Sequence, residues 1–544
     1  MSSKKSTNHF VKGAAILGVA GLISKLLGAV YRIPYQNITG DIGLYVYMQV
    51  YPLYTTLLIL ATAGFPIAIS KIVSERIAIG DYIGARKAFR ISSLVLSVLG
   101  VFFFLLLYFG APLISGLMGD KHLTMPLRAV AWSLPLVPAA AIMRGYFQGH
   151  QNMIPTGVSQ VVEQLIRVIF ILITAYWMMN AYHDAYLAGS GAVFAAFPGA
   201  VGACLVLLYY WRKYSKTPEW SPSPQHKQKV RPMTSKKVFH SLVFYALPIC
   251  MGALVLPLIP LVDSVTVLNM MLWSGVEEQA AKLLKGAYDH GQPLIQFGTF
   301  FATSLSLALV PSISEAVTQG QHQVIANRTE VAIRLTMLLG LPASFGLALL
   351  AQPVNVMLFG DTSGTDALAI QAFTIVFATL GIATSGILQG LGLVMHPARH
   401  LAYGVLVKLV LNLALIPVWG ISGAAVATVV AYVVPMVCNL RSIVKHTSVR
   451  MNKKQTVTKP VFAVLIMSVV VLLVEGLTSS IFRGTIGSER LFETVVALIT
   501  IAFGGVSYLL ALLWAGGLTS ADLRFLPKGQ RLIPLLQRVK LLRQ

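Results

Sequence analysis

The chain has 544 residues, of which 56% are apolar and only 11% are charged. A soluble domain carries roughly 25% charged residues, and a soluble core could not hide this much apolar surface from water. The composition excludes a soluble enzyme, a secreted disulfide scaffold and a disordered chain. The net charge of +23 could indicate nucleic acid binding, but the cations lie in short clusters between apolar runs, as the topology of membrane proteins requires.

Apolar runs long enough to cross a bilayer recur along the whole chain, since a spanning helix needs about 20 such residues. We therefore predict an all-α polytopic membrane protein with fourteen transmembrane helices. The predicted spans lie near 11–36, 44–70, 90–117, 126–149, 155–180, 186–211, 241–272, 287–314, 329–356, 366–395, 398–418, 421–443, 460–482 and 492–516.

The distribution of Lys and Arg predicts the orientation of these spans. With the N-terminus placed in the cytoplasm, most cations fall in cytoplasmic segments. The outer segments then hold only Lys121, Arg128, Lys282, Lys285, Arg483 and Arg490. Both termini are therefore expected on the cytoplasmic side.

A basic, Pro- and Ser-containing stretch at 212–240 divides the chain, and we interpret it as a cytoplasmic linker. It separates an N-terminal lobe (1–211, spans one to six) from a C-terminal lobe (241–445, spans seven to twelve). Residues 446–544 add two more helices and a basic tail. Short matches recur between the lobes at a nearly constant offset, such as Gln148-Gly149 with Gln389-Gly390. Two pseudo-symmetric six-helix lobes of this kind are typical of transporters that bind substrate between them.

Once the cations near the span ends are counted with the flanking segments, four cations remain within the predicted spans, and each costs roughly 2.5–3.5 kcal/mol at the bilayer centre. They are Lys25, Arg32, Arg167 and Lys408. Lys25 and Arg32 are two turns apart on one helix face, a spacing that suits a bulky anion such as a diphosphate. We predict that all four cations face one water-filled, anion-attracting cavity.

Other ionisable residues in or near the spans are candidates for ion coupling or for helix pairing: Glu163, Asp263, Asp289 and His290. Glu163 and Arg167 can pair at the i, i+4 spacing. No nucleotide-binding loop, metal motif or nucleophile motif occurs in the sequence, so we expect no enzyme activity, no cofactor and no metal.

Several motifs resemble those of the polysaccharide-export branch of the multidrug/oligosaccharidyl-lipid/polysaccharide (MOP) flippase superfamily. They are Ser24–Gly28, Arg144–Gly149, Ser159–Arg167, Pro311–Ser314 and Gly420–Ala425. Within that branch the chain is most similar to the MurJ-type lipid II flippases of Gram-positive bacteria and to the stage V sporulation protein B subgroup. The resemblance implies a V-shaped two-lobe bundle that flips undecaprenyl-diphosphate-linked peptidoglycan precursor by alternating access. It also implies that Lys25 matches the first-span cation of the family, whereas Arg32 lies one residue beyond its second arginine.

Other functions stay open on the sequence. The cargo could be another lipid-linked polysaccharide unit, or the chain could be a drug/cation antiporter of the same superfamily, although an excess of buried cations suits anions better. A non-transporting scaffold would gain nothing from charges buried in the membrane. The expected partners are a lipid-linked anionic glycan, membrane lipids and the cell-wall synthesis machinery, with no nucleic acid. We expect a monomer in the bacterial plasma membrane.

Overall fold

The computed structural model describes residues 17–215, 234–447, 449 and 452–517. The polar N-terminal head, the middle of the predicted linker and the basic C-terminal tail lie outside the described residues. Within the described ranges nearly every residue is helical and there is no β-strand. Ten helical stretches there are long and apolar enough to cross a membrane. The chain is an all-α polytopic membrane protein, and the count of fourteen crossings stays a prediction.

Nineteen α-helices are numbered in chain order over the described residues. They are α1 (17–30), α2 (Arg32–Thr62), α3 (Phe65–Ala78), α4 (Tyr82–Leu117), α5 (Thr124–Ala131), α6 (Leu136–Gly149), α7 (Ile154–Tyr182), α8 (Ala185–Phe194), α9 (Ala196–Tyr214), α10 (Ser235–Trp273), α11 (Glu278–Tyr288), α12 (Gly291–Thr318), α13 (His322–Leu349), α14 (Ala351–Phe359), α15 (Thr365–Ala372), α16 (Thr374–Gly390), α17 (Met395–His446), α18 (Lys459–Phe482) and α19 (Glu489–Trp514).

Two of the long helices fold back on themselves at a glycine with positive φ, a conformation that only glycine adopts at low cost. In α2 the reversal is at Gly40 (φ 68°), and the Tyr35 hydroxyl donates to the Gly43 carbonyl at 2.9 Å across it. In α17 the reversal is at Gly420 (φ 54°), and Gly404 on one arm lies against the Ala431 backbone on the other. Each reversal falls between two predicted spans, one and two in the first case and eleven and twelve in the second.

The chain divides into two compact units, Met1–Asn269 and Met270–Gln544. The boundary lies inside α10, downstream of the predicted linker, and the lobe limits drawn from the sequence stay a prediction. In the first unit α10 packs closely on the end of α2, where the Gly64 N–H donates to Cys250 Sγ at 3.3 Å. The buried Asp120 carboxylate accepts hydroxyl hydrogen bonds from Tyr45 at 3.1 Å and Tyr186 at 2.6 Å, which joins α2 and α8 to the turn after α4.

The same glycine-mediated helix contact occurs in both units. In the first unit Gly149 of α6 lies against the Ser70 carbonyl of α3, 3.0 Å from an ideal Cβ built at the glycine. In the second unit Gly390 of α16 lies equally close, 3.0 Å, to the Val310 carbonyl of α12. Gly149 and Gly390 are the residues matched in the sequence repeat, so the internal similarity extends to how these helix pairs pack. Small residues permit this close backbone approach.

Hydrogen bonds join the last two helices to each other and to the rest of the second unit. Lys459 Nζ donates to the Gly516 carbonyl at 2.7 Å, which joins the start of α18 to the end of α19. The Tyr508 hydroxyl donates to the Leu338 carbonyl of α13 at 2.7 Å. Arg490 caps the end of α14 by donating to the Leu358 carbonyl at 3.0 Å.

Most of the outer loop expected between predicted spans seven and eight forms α11, and its position on the outer side stays a prediction. Lys282 and Lys285, assigned to that loop, are buried on one face of this helix. Both lysines are paired with acids four residues away, Lys282 with Glu278 and Lys285 with Asp289, at 2.7 and 2.6 Å. An acid one turn away balances the charge of each lysine, which allows the lysine side chains to be buried. A search for long apolar runs cannot recognise a helix of this kind.

Candidate functional site

Glu163, on α7, joins two arginines from two helices. Arg144 Nη2 on α6 donates to Glu163 Oε2 at 2.8 Å, and Arg167 Nη2 donates to Oε1 at 3.0 Å. Arg144 Nε also donates to Ser159 Oγ at 2.9 Å. Ser159, Glu163 and Arg167 are spaced one turn apart on α7, so a single helix face builds the site. The predicted Glu163–Arg167 pair is present, within a triad that carries one excess positive charge.

Arg32 is buried beside tyrosines at the start of α2, with only 3% of its surface exposed. Its guanidinium carbon lies 5.7 Å from the centroid of the Tyr51 ring, a cation–π arrangement. Among the described residues, Nε and Nη1 of Arg32 have no hydrogen-bond partner. A buried guanidinium with free donors is costly, at about 1–3 kcal/mol for each unmet group, and such donors suit a bound anion.

A pair of stacked tyrosines lies near both Arg32 and Arg167. Tyr47 and Tyr51 are one turn apart on α2, and their ring centroids are 5.2 Å apart with 21° between the ring planes. Both tyrosines are near enough to Arg32 and to Arg167 to interact electrostatically with each guanidinium. The structure therefore brings two of the four predicted cations around one tyrosine stack. We call Arg32, Arg167, Tyr47 and Tyr51 the arginine–tyrosine cluster.

Lys25 and Asp263 also belong to the first unit, and neither is among the residues of this cluster. The Lys25 side chain is exposed on α1, two turns before Arg32. The same stretch of α1 lies against α7, because an ideal Cβ built at Gly28 would lie 3.3 Å from Gln164 Nε2. Asp263 is buried on α10.

Lys408 is fully buried in the second unit, with 0% of its surface exposed. Its ammonium group donates to the Ala424 carbonyl at 3.2 Å, to the Tyr288 hydroxyl at 3.4 Å and to Thr428 Oγ1. It therefore lies between the two arms of α17, where α11 contributes Tyr288. Arg167 precedes Lys408 by 241 residues, the same offset as Gln148 from Gln389, so the two cations occupy matching repeat positions. Arg167 is held by a carboxylate, whereas Lys408 contacts neutral oxygens.

Asp289 and His290 lie in the short turn between α11 and α12, and both have local contacts. The Asp289 carboxylate accepts from Lys285 Nζ at 2.7 and 2.6 Å, and both side chains are buried. His290 Nδ1 is hydrogen-bonded to Asn355 Oδ1 at 2.8 Å, and the imidazole stacks on the Phe359 ring with centroids 4.1 Å apart. Of the two roles considered for these residues, the contacts favour the pairing of helices.

Two cations that form ion pairs in the structure, Arg144 and Lys285, were not site candidates in the sequence analysis. Arg144 had been counted with the cytoplasmic cations, and Lys285 had been placed in an outer loop. The available signal for Lys285 was its i, i+4 spacing to Asp289. No comparable signal existed for Arg144, because its acid lies 19 residues away on another helix.

Comparisons with known proteins agree with this architecture. Residues 10–317 match the family model described as polysaccharide biosynthesis protein, and residues 248–414 match the MatE model. An uncharacterized membrane protein of Bacillus subtilis, YabM, is 35% identical over 97% of both chains. A second B. subtilis relative, named lipid II flippase MurJ, is 31% identical over 94% of this chain and 95% of its own.

Among solved structures, a lipid II flippase MurJ in an inward closed conformation covers 91% of this chain and 98% of its own, with a TM-score of 0.65 and 17% identity. At that identity the likeness establishes the fold alone.

Proposed function

Because this chain belongs to the MOP flippase superfamily through its polysaccharide biosynthesis branch, we propose that it flips a lipid-linked glycan across the cell membrane, with lipid II as the cargo. The cargo would be the undecaprenyl-diphosphate-linked peptidoglycan precursor, moved from the cytoplasmic to the outer leaflet by alternating access. The support for this cargo is the relative named lipid II flippase, at 31% identity over nearly the whole chain.

The observation that carries the proposal is the buried Arg32 guanidinium, two of whose nitrogen donors find no partner within the described part of the chain. A diphosphate presents several acceptor oxygens and can take bidentate hydrogen bonds from arginine. Arg167 interacts electrostatically with the same two tyrosines and would add a second positive charge. Lys25 is exposed on the preceding helix and would meet the headgroup before it reaches the arginine–tyrosine cluster.

The proposed driving force is the membrane potential. Exporting a lipid diphosphate moves about two negative charges outward, and each charge that crosses 100 mV is worth about 2.3 kcal/mol. With a negative cytoplasm that movement is downhill. The return of the empty, net-positive site toward the cytoplasm would also be favoured. Asp263 would then serve only secondary ion coupling.

We further propose that the protein acts as a monomer in the bacterial plasma membrane with both termini in the cytoplasm. The cell-wall synthesis machinery on the outer face would consume its product. The orientation rests on the excess of Lys and Arg in alternate segments.

Depletion of the protein in its native host tests the cargo. The expected result is that lipid II accumulates in the cytoplasmic leaflet and that wild-type protein restores its export. An Arg32→Ala variant should fail to restore export, whereas Arg90→Ala, which removes an exposed arginine of α4, should restore it. Accumulation of a different undecaprenyl-linked intermediate would replace lipid II by that cargo. Changed drug sensitivity with normal lipid-linked pools would favour the antiporter instead.

A further inference from the structure

An open, mostly apolar groove runs along the second arm of α17. Its volume is about 430 Å³, and it is open to its surroundings rather than enclosed. Six residues line it: Met436, Val437, Leu440, Arg441, Val444 and Lys445. They form two adjacent rows with i, i+4 spacing, one wholly apolar and one that ends in the two cations.

The length of the groove matches one leaflet of a bilayer. From Met436 to Lys445 the helix rises about 14 Å at about 1.5 Å per residue. Half of the hydrocarbon core of a bilayer is about 15 Å thick. One acyl chain of a lipid in a single leaflet could therefore lie along the groove over most of its length.

The charges lie at one end of the groove, where a headgroup would be. Arg441 and Lys445 occupy the last two turns of α17, which ends at His446. Both side chains are exposed. The helix C-terminus has partial negative charge, which favours cations at this position.

The start of α17 reaches the same end of the helical hairpin. The His396 and His446 ring centroids are 5.6 Å apart, and His400 Nδ1 is hydrogen-bonded to Asn439 Oδ1 at 2.7 Å. Arg399 is also in the first turns of α17, close to His396 and His400 in the sequence. The basic end of the groove is therefore surrounded by further cationic and titratable groups, which suits an anionic headgroup and disfavours a cationic one.

We propose that this groove binds an anionic glycerophospholipid of the leaflet that the charge distribution predicts to be cytoplasmic. The acyl chain lies against Met436, Leu440 and Val444, and the phosphate lies between Arg441 and Lys445. Basic pockets at the cytoplasmic ends of transmembrane helices are suited to anionic headgroups. The site lies within the second unit and needs no flipped cargo, so it stands independently of the proposed function.

The test is native mass spectrometry of the purified full chain with phosphatidylglycerol or phosphatidylethanolamine added in equal amounts. We expect phosphatidylglycerol to bind more tightly. The double substitution Arg441→Gln and Lys445→Gln should weaken phosphatidylglycerol binding about 30-fold, from about fivefold for each cation. The matched control is Arg212→Gln with Lys213→Gln, which removes two exposed cations from the last turn of α9 and should leave binding unchanged.

A second variant tests the apolar part of the groove without altering charge. Val444→Trp should fill it and weaken the binding of both lipids. Leu406→Trp, at an exposed apolar position on the first arm of α17, should not do so. Equal binding of the two lipids by the wild-type chain would overturn the proposal. So would equal losses in the Arg441/Lys445 and Arg212/Lys213 variants, or a Val444→Trp protein that binds as wild type does.

Discussion

The Glu163→Gln substitution tests whether the carboxylate shared by two arginines holds α6 and α7 together. The glutamine keeps the shape but removes the negative charge between Arg144 and Arg167. The three side chains are 14%, 13% and 12% exposed, respectively. Breaking a buried ion pair by removing one partner costs about 3–5 kcal/mol, and this partial exposure places the expected loss near 3 kcal/mol.

The two arginines should each matter less than the carboxylate they share. Arg167→Gln leaves Glu163 paired with Arg144, so its loss should be near 1.5 kcal/mol, the lower value for a hydrogen bond to a charged group. Adding Arg144→Gln to Glu163→Gln should restore part of the stability, because it removes one of two mutually repelling cations. The measurement is the free energy of unfolding of the purified chain in mixed micelles, from a reversible titration with a denaturing detergent.

Glu278→Gln provides the control, because Glu278 makes a similar i, i+4 ion pair but is 58% exposed. Its partner Lys282 is only 9% exposed, but the exposed acid gives up little of its hydration in this pair, so this variant should lose less stability than Glu163→Gln. The reasoning fails if Glu163→Gln is no less stable than Glu278→Gln. It also fails if Arg167→Gln is the more damaging of the two site variants, since the shared carboxylate would then not be the central group.

Three further predictions concern packing, coupling and pH. Gly390→Ala should destabilise the chain by about 1–3 kcal/mol, because the new Cβ would lie 2.9 Å from Ile313 Cβ. The control is Gly381→Ala in the same helix, where the new Cβ would enter open space. That variant should be neutral or stabilising in the same titration. Collapsing the membrane potential with an ionophore at constant pH should stall flipping in cells within minutes. The Asp263→Asn variant should retain more flipping activity than the Arg32→Ala variant. The reverse order would make ion coupling through Asp263 the main driving force. Burial lowers the pKa of His150, so the unfolded chain binds a proton at this imidazole more readily than the folded chain does. The free energy of unfolding should therefore fall as the pH drops below about 6.5. His150→Gln should flatten that part of the stability–pH profile, and an unchanged profile would contradict the prediction.

Much of the fold could be predicted because membrane helices are encoded locally. Predicted spans one and two lie on either side of the reversal at Gly40, and predicted spans eleven and twelve lie on either side of the reversal at Gly420. The Gln-Gly repeat identified Gly149 and Gly390, which make matching contacts in their own units. Local reasoning did not predict α11, because its charged residues interrupt the apolar pattern.

The candidate site was predictable only in part. The cost of charge in a membrane singled out Arg32, Arg167 and Lys408 from the sequence alone. Their surroundings could not be predicted in the same way. Arg32 lies beside a tyrosine stack with donors unmet, Arg167 is held by a carboxylate, and Lys408 is held by neutral oxygens.

The sequence by itself determined the class of protein, the helical secondary structure and the cations that had to be kept from lipid, because hydropathy and charge act residue by residue. Only the tertiary structure decided which of those cations have partners. The ion pair of Arg144 with Glu163 and the contact of Lys408 with Ala424 join different helices or the two arms of a folded one. Such contacts depend on the angle and register at which two helices pack. Because many side chains that are distant in the sequence determine that angle and register, no local sequence pattern predicts the contacts.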